Sequence, residues 1–247
     1  KESDARRALR IFNEKSNTTD IKRTDAFDLK FLDQSKSEEI QYIGKLSVNN
    51  SCFYREYVLG NDTPEMRATA LVIGQALQQP FFTEMRTNQQ LGYIVWSYTR
   101  SRDETYYLSF VIQSGAFTAD DVNQRADDFI ASTPELLTAM DDETFQQLKE
   151  SAIEKLEKKP MSISERANKL QTFIFEHDAD FQRDQKTIAA LETLQQSSTV
   201  ELLSKTLGTD TRRMVNFLMF AEQHENTTGA KGTFNKLKTW KASRSYK

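Results

Sequence analysis

With 247 residues and interspersed charges, 33 basic against 36 acidic for a net of −3, the chain lacks the strongly basic face that nucleic-acid binding needs. It is long enough for one large domain or two small ones with a sizeable core, and no apolar run approaches the roughly 18 residues of a membrane span. The single cysteine, Cys52, excludes an internal disulfide. The chain starts at Lys1 with no cleavable signal pattern, which suggests a piece of a longer protein and leaves the compartment, cytoplasmic or periplasmic in a bacterium, open.

In chain order, Ala5, Ala8, Leu9 and Phe12 are helically spaced and predict a short helix over residues 1–13, followed by a polar stretch from Asn13 to Asp25. Residues 1–38 are thereby expected to be the end of a preceding unit and a linker, with Phe27 to Leu32 a candidate strand. Gln41 to Val48 and Cys52 to Leu59 concentrate β-formers around Asn49-Asn50 and predict a hairpin. Asn61, Asp62, Thr63 and Pro64 supply cap residues and a first-turn proline, and Met66, Ala70, Ile73 and Leu77 then paint an apolar helical stripe. Pro80 is expected to kink or end this helix, with Phe81, Phe82 and Met85 continuing its apolar face.

Arg86 falls near the final turn of that helix. Gly92 offers the positive φ of a helix exit, so Tyr93 stands at the mouth of the strand predicted over Leu91 to Tyr98. A second strand, Tyr106 to Gln113, follows across the charged turn Ser101 to Glu104.

The second half reads as helices. Thr118 opens one with Val122, Ala126 and Phe129 inward, which Pro134 is expected to interrupt. Phe145, Leu148, Ala152 and Leu156 line the next, and Ser162 with Glu165 forms a capping box before Ala167, Leu170 and Ile174. Ile188, Leu191 and Leu194 mark a fourth, Ser198 with Glu201 caps a fifth that Gly208 ends, and Met214 to Phe220 is a returning strand. Strands, then helices, then a strand predict an α+β fold: an antiparallel sheet with helices packed on one face, spanning 39–224, and a mobile, irregular tail over 225–247.

Chemistry-bearing residues are sparse. His177 and His224 do not form a pair at zinc-ligand spacing, and His177 reads as a surface or capping residue near a helix end. Asp120-Asp121, Asp127-Asp128 and Asp141-Asp142-Glu143 fall at helix starts or on solvated faces, where they offset helix dipoles. Cys52 has no histidine near it in sequence and reads as a small strand residue, not a nucleophile.

Arg86-Thr87 followed by Gln90-Leu91-Gly92-Tyr93 resembles the Arg-Thr-x-x-Gln-Leu-Gly-Tyr signature in the C-terminal half of insulinase (pitrilysin-like) zinc metallopeptidases. The resemblance covers about residues 39–224 and takes in Asn49-Asn50, the helix from Pro64, Phe110 to Ser114, Leu156 to Ser162 and Phe181 to Leu194. It implies a zinc-free C-terminal domain, with the metal held by a His-x-x-Glu-His motif in the N-terminal half of the parent protein, or in a partner subunit. It further implies no cofactor in this chain, a peptide substrate, a substrate chamber completed by this domain, and no proteolysis by the chain alone. Arg86 is then a contact to substrate backbone and Tyr93 a hydroxyl that holds the tetrahedral intermediate, as catalytic and substrate-binding residues that assist the other half. A second implication of the same resemblance is a non-catalytic paralogue that keeps the fold for structure or subunit interaction. Both polar residues of the signature are retained, which favours the first.

Overall fold

The computed structural model describes residues 2–16, 32–234 and 236–246; the candidate strand from Phe27 lies outside them except for Leu32, which forms an isolated bridge with Tyr246. The chain divides into two compact units, 34–244 and a smaller one made of 1–33 with 245–247. In the smaller unit, α1 (Glu2–Ser16) is the predicted N-terminal helix, extended by three residues.

The larger unit is built on five strands: β1 (Glu38–Lys45), β2 (Ser51–Asn61), β3 (Ile94–Arg102), β4 (Thr105–Ser114) and β5 (Arg213–Phe220), in the order β1-β5-β2-β4-β3. The predicted hairpin of the first two strands does not form, because β5 lies between them, parallel to β1 and antiparallel to β2. The reason is in β5 itself. Met214, Leu218 and Phe220 point to one face and Val215, Phe217 and Met219 to the other, so the strand has no polar side to show water and takes an interior place. The remaining pairs are antiparallel, and β3 turns into β4 through Asp103 and Glu104, whose φ values of 48° and 50° fit the two centres of a tight hairpin turn.

One face of the sheet carries Phe53, Tyr57, Leu108, Phe110, Ile112 and Leu218 into the core. Against it pack α2 (Pro64–Phe82), α3 (Ala119–Thr138) and α7 (Gln196–Leu207). Thr63 caps α2, its hydroxyl accepting from the Met66 amide, and Asp62 is left free for another task. Its carboxylate receives Arg67 at 2.5 Å and Arg183 at 2.6 Å, tying the end of β2 to α2 and to α6 (Arg183–Thr193). The stripe of Ala70, Ile73 and Leu77 meets the sheet, while Ala68 and Val72 on the far side of α2 pack with Phe145, Ala152, Leu191 and Leu194. Those residues belong to α6, its exit and α4 (Asp142–Glu157), so the middle of α2 is sandwiched between sheet and outer helices and buries apolar residues on both sides.

Two prolines are accommodated. Pro80 lies inside α2 and Pro134 inside α3, which runs on to Thr138 instead of stopping. At Pro134 the missing amide would have satisfied the Ile130 carbonyl, and the Thr133 hydroxyl donates to that oxygen at 2.7 Å in its place. The helix α7 starts at Gln196, before the expected Ser198–Glu201 box, because the Gln196 side chain donates to the Leu137 and Met140 carbonyls at 2.7 and 2.8 Å and fixes the start by a tertiary contact. The Ser162 cap of α5 (Ile163–Glu176) forms as expected, with Ser162 accepting from the Glu165 amide. Leu170 and Ile174, expected inward, are exposed, and only Phe173 of that helix is buried.

Polar groups pin α3 to both neighbours. Arg55, on the core-facing side of β2, is 5% exposed, bonds Asp127 and donates to Asn123 at 2.7 Å, so Asp127 is a partner of a buried cation and not merely a solvated acid. At the start of α3, Asp120 accepts from Thr118, from the Thr227 hydroxyl at 3.1 Å and from the Thr228 amide at 2.9 Å. The stretch after β5 is irregular, as expected, but it is held along β1 where a mobile tail was expected. Thr233 donates to the Gln41 carbonyl at 2.7 Å and its hydroxyl accepts from the Gln41 amide at 2.8 Å, and the chain closes with the short helix α8 (Leu237–Ala242).

The link from α2 to β3 passes close behind β4. A Cβ at Gly92 would stand 1.8 Å from the Gln113 carbonyl oxygen and 2.8 Å from its carbon, so glycine is required there by lack of space. The positive φ expected at Gly92 falls on Gln90 instead, at 54°.

Gly92→Ala is expected to lower stability by about 2–3 kcal/mol, since the new methyl meets backbone that cannot rotate away; denaturant titration measures it. Burial resists ionisation of Asp120, yet the hydrogen bonds from Thr118, Thr228 and Thr227 win and bring its carboxyl to about 2. A depressed carboxylate stabilises the fold fully above its unfolded value of about 4, and loses that contribution as the pH falls toward 2. Asp120→Asn therefore lowers the denaturation midpoint at pH 7, with a gap to the unaltered chain that closes below about pH 2.

Candidate functional site

Arg86 lies in a π-helical turn, Thr83–Asn88, that extends α2 beyond Pro80 and Phe82. The turn widens because the Gln89 amide reaches back five residues to the Glu84 carbonyl at 3.0 Å, and such turns concentrate at functional sites. The Glu84 carboxylate then accepts from Asn88 at 2.7 Å and from the Gln89 side chain at 2.8 Å, which secures the turn from outside. Inside, Met85 and Leu91 are fully buried and the Leu91 amide donates to the Met85 carbonyl at 2.9 Å. With Leu91 anchored in the core and Gln90 taking the left-handed conformation, the chain reverses at Gly92, and β3 begins at Ile94, three residues later than the sequence suggests.

Those two anchors bring Arg86 and Tyr93 together. The Arg86 guanidinium donates to the Gly92 carbonyl at 2.5 Å and its central carbon lies 5.0 Å from the centroid of the Tyr93 ring. Cation–π contact of this kind at an exposed site contributes about 0.5–1 kcal/mol, enough to bias two side chains toward one another. The Tyr93 side of the pair is 83% exposed. One guanidinium nitrogen is committed to the backbone.

A groove of about 620 Å³ beside the π-helical turn is lined by Glu84 and Gln89 on one wall and by Asp128 and Phe129 of α3 on the other, and neither Arg86 nor Tyr93 contributes to it. Sequence reasoning found the pair from its motif but not Glu84, Gln90 or the Gln113 carbonyl, whose parts depend on through-space contact. The only signal for Glu84 was its spacing of four and five residues from Asn88 and Gln89.

The other candidates stand apart from this site and from one another. His177 caps α5, and partial burial, followed by the nearby Arg183 charge, lowers its pKa. The His224 ring bonds the Ser51 hydroxyl at 2.8 Å. Asp120 and Asp121 begin α3, while Asp141 caps α4 ahead of Asp142 and Glu143. Cys52 is part-buried on β2, and burial pushes its thiol up, away from the reactive thiolate. Among the described residues no three His, Cys, Asp or Glu side chains are placed to hold a metal ion, so the residues present do not fit a zinc site. None of the described helices is long and apolar enough to cross a membrane.

Residues 72–171, from mid-α2 to α5, match the family described as PQQ synthase PqqF-like, C-terminal lobe domain 4. Protease 3 of Salmonella typhi is 27% identical over 136 residues, 55% of this chain and 14% of that protein. Human insulin-degrading enzyme is 30% identical over 140 residues, 56% of this chain and again 14% of that protein. The chain thus spans a small part of the curated relatives it matches. In fold it superposes on a pitrilysin crystal structure with a TM-score of 0.72 at 18% identity, over 89% of this chain and 24% of that one. A peptidase M16 inactive domain from Pseudomonas fluorescens gives a TM-score of 0.53 at 16% identity, over 74% and 43%. With the turn from Arg86 to Tyr93 and the five-stranded α+β fold, these likenesses support a C-terminal domain similar to those of the insulinase-like family.

Proposed function

We propose that this chain is the zinc-free C-terminal domain of an insulinase-like zinc metalloendopeptidase, in which it completes the substrate chamber and presents Arg86 and Tyr93 to the peptide under hydrolysis. The zinc belongs to the N-terminal half of the parent protein or to a partner subunit, and residues 39–224 form the domain that meets it, with 1–38 the end of a preceding unit and linker. One observation carries the reading: two polar side chains are held side by side by a buried frame, yet Arg86 is only half-buried and Tyr93 stands on an open surface. Donors in water stabilise a developing charge weakly. The same donors in a closed, water-excluding site are worth far more, so the pair makes chemical sense only against a second body.

Hydrolysis of a peptide bond builds negative charge on the carbonyl oxygen. The phenol of Tyr93 donates to that oxygen, and the nitrogens of Arg86 not engaged by Gly92 hold the substrate backbone beside it. Because the frame fixes both groups beforehand, little reorganisation is needed as the charge forms.

In the parent enzyme, Tyr93→Phe is expected to lower kcat about 100-fold or more with a smaller change in KM, since the hydroxyl acts on the transition state more than on bound substrate. An unaltered kcat in steady-state assays would leave the domain a structural or subunit-interaction module, the rival reading. For the chain alone, mixed with a fluorogenic peptide and zinc, no turnover is expected. Turnover that a chelator abolishes would place a metal site in this chain and overturn the proposal.

A further inference from the structure

The sheet face turned away from α2, α3 and α7 bears an unbroken row of large side chains. Register pairs Trp96 with Val111, Val111 with Tyr54, Tyr54 with Phe217 and Phe217 with Tyr42, so the row crosses all five strands from one edge to the other. Its rings are in contact where they adjoin. Tyr54 and Phe217 lie 5.9 Å apart between centroids, as do Phe217 and Tyr42.

The two ends of the row differ. At the β1 edge, the chain's own irregular segment runs along the strand, bonded through Thr233 to the Gln41 amide and carbonyl and through Lys231 to the Gln41 side chain. From that segment Phe234 stacks on Tyr42 at 5.6 Å, and Trp240 of α8 stacks on Phe234 at 4.5 Å. At the β3 edge, among the described residues, no segment pairs with the strand, and Trp96 is 58% exposed. Edge strands are usually blunted by proline, charge or a bulge, and β3 runs nine residues without proline or break in its register, its charges confined to Arg100 and Arg102 at the far end from Tyr93, both paired with Glu56. The molecule therefore shows at one edge what it leaves undone at the other: a segment hydrogen-bonded to the strand at Gln41, with an aromatic ring laid on the end of the row.

We propose that the β3 edge binds an extended peptide segment, paired to the strand through its backbone and seating a phenylalanine or other large apolar side chain on Trp96. The proposal rests on reading this chain as a peptide-handling domain, and it makes Trp96 a specificity residue of the same surface. Tyr93 immediately precedes β3, so a peptide lying on this edge continues from the Arg86–Tyr93 pair and its side-chain preference is set three residues further along. Backbone pairing gives such a site affinity for any extended chain, and the ring beneath one position gives it selectivity.

The test uses fluorescein-labelled acetyl-Thr-Ala-X-Ala-Thr-amide peptides with X as Phe, Leu, Ala or Asp, titrated with the full chain by fluorescence anisotropy. The Phe peptide is expected to bind about tenfold more tightly than the Ala peptide, the gain of burying one aromatic side chain in part. Trp96→Ala removes that preference, and because the ring is mostly exposed its melting temperature stays near that of the unaltered chain. Amide hydrogen exchange over 94–102 is expected to slow on adding the Phe peptide. Equal binding of the Phe and Ala peptides, a preference that survives Trp96→Ala, or unchanged exchange in β3 would each overturn the proposal. These outcomes are separate from the kcat of Tyr93→Phe in the parent, so either reading can fail while the other stands.

Discussion

The close approach of Gly92 to the Gln113 carbonyl is the contact on which the site depends. It lets the chain leaving a widened helical turn pass close to β4 and enter β3 after the five connecting residues 89–93. Any side chain at that point pushes the backbone outward, and Arg86 loses the carbonyl that orients its guanidinium toward Tyr93. The apolar pins on either side, Met85 and Leu91, make the path rigid, so the packed interior sets where the two polar groups stand and their cation–π contact adds to it.

Around that contact the domain is organised so that polar strength lies at its seams. Arg55 sits within the sheet face that supports α3, Asp62 gathers two arginines where β2 meets α2 and α6, and Asp120 fastens the stretch after β5 to the start of α3. Each joins elements distant in sequence. Removing one partner of such a pair leaves a buried charge uncompensated, which costs more than the intact pair contributes. The seams thus fix how the layers are aligned, while apolar burial supplies most of the driving force. The open face has one such seam at its β2–β3 side, where buried Glu56 receives Arg100 at 2.5 Å and Arg102 at 3.1 Å.

Much of the fold was legible one element at a time. The Thr63-Pro64 start of α2, the Thr118 and Ser162 caps, Gly208 after α7 and the turn between β3 and β4 follow from local chemistry, where a side chain and the backbone it bonds lie within a few residues. The Arg86 to Tyr93 pair was legible because its motif is compact and its reversal residues are contiguous. Elements were misread where a distant partner substituted for a local rule. A threonine hydroxyl replaced the amide that Pro134 lacks, Gln196 found carbonyls some sixty residues earlier, and Leu170 with Ile174 showed a helical stripe that meets no core.

By itself the sequence determined the kinds of element, their boundaries to within a few residues, and which two polar groups deserved to be paired. Only the tertiary structure decided that β5 enters between β1 and β2, that Gly92 is needed for space and Gln90 for the turn, and that the row from Trp96 to Tyr42 is covered at one end alone. The physical reason is range. Helix and strand signals are carried by neighbours along the chain, whereas strand order, close backbone approach and the covering of a sheet face are settled by competition among surfaces that meet only once the chain has collapsed.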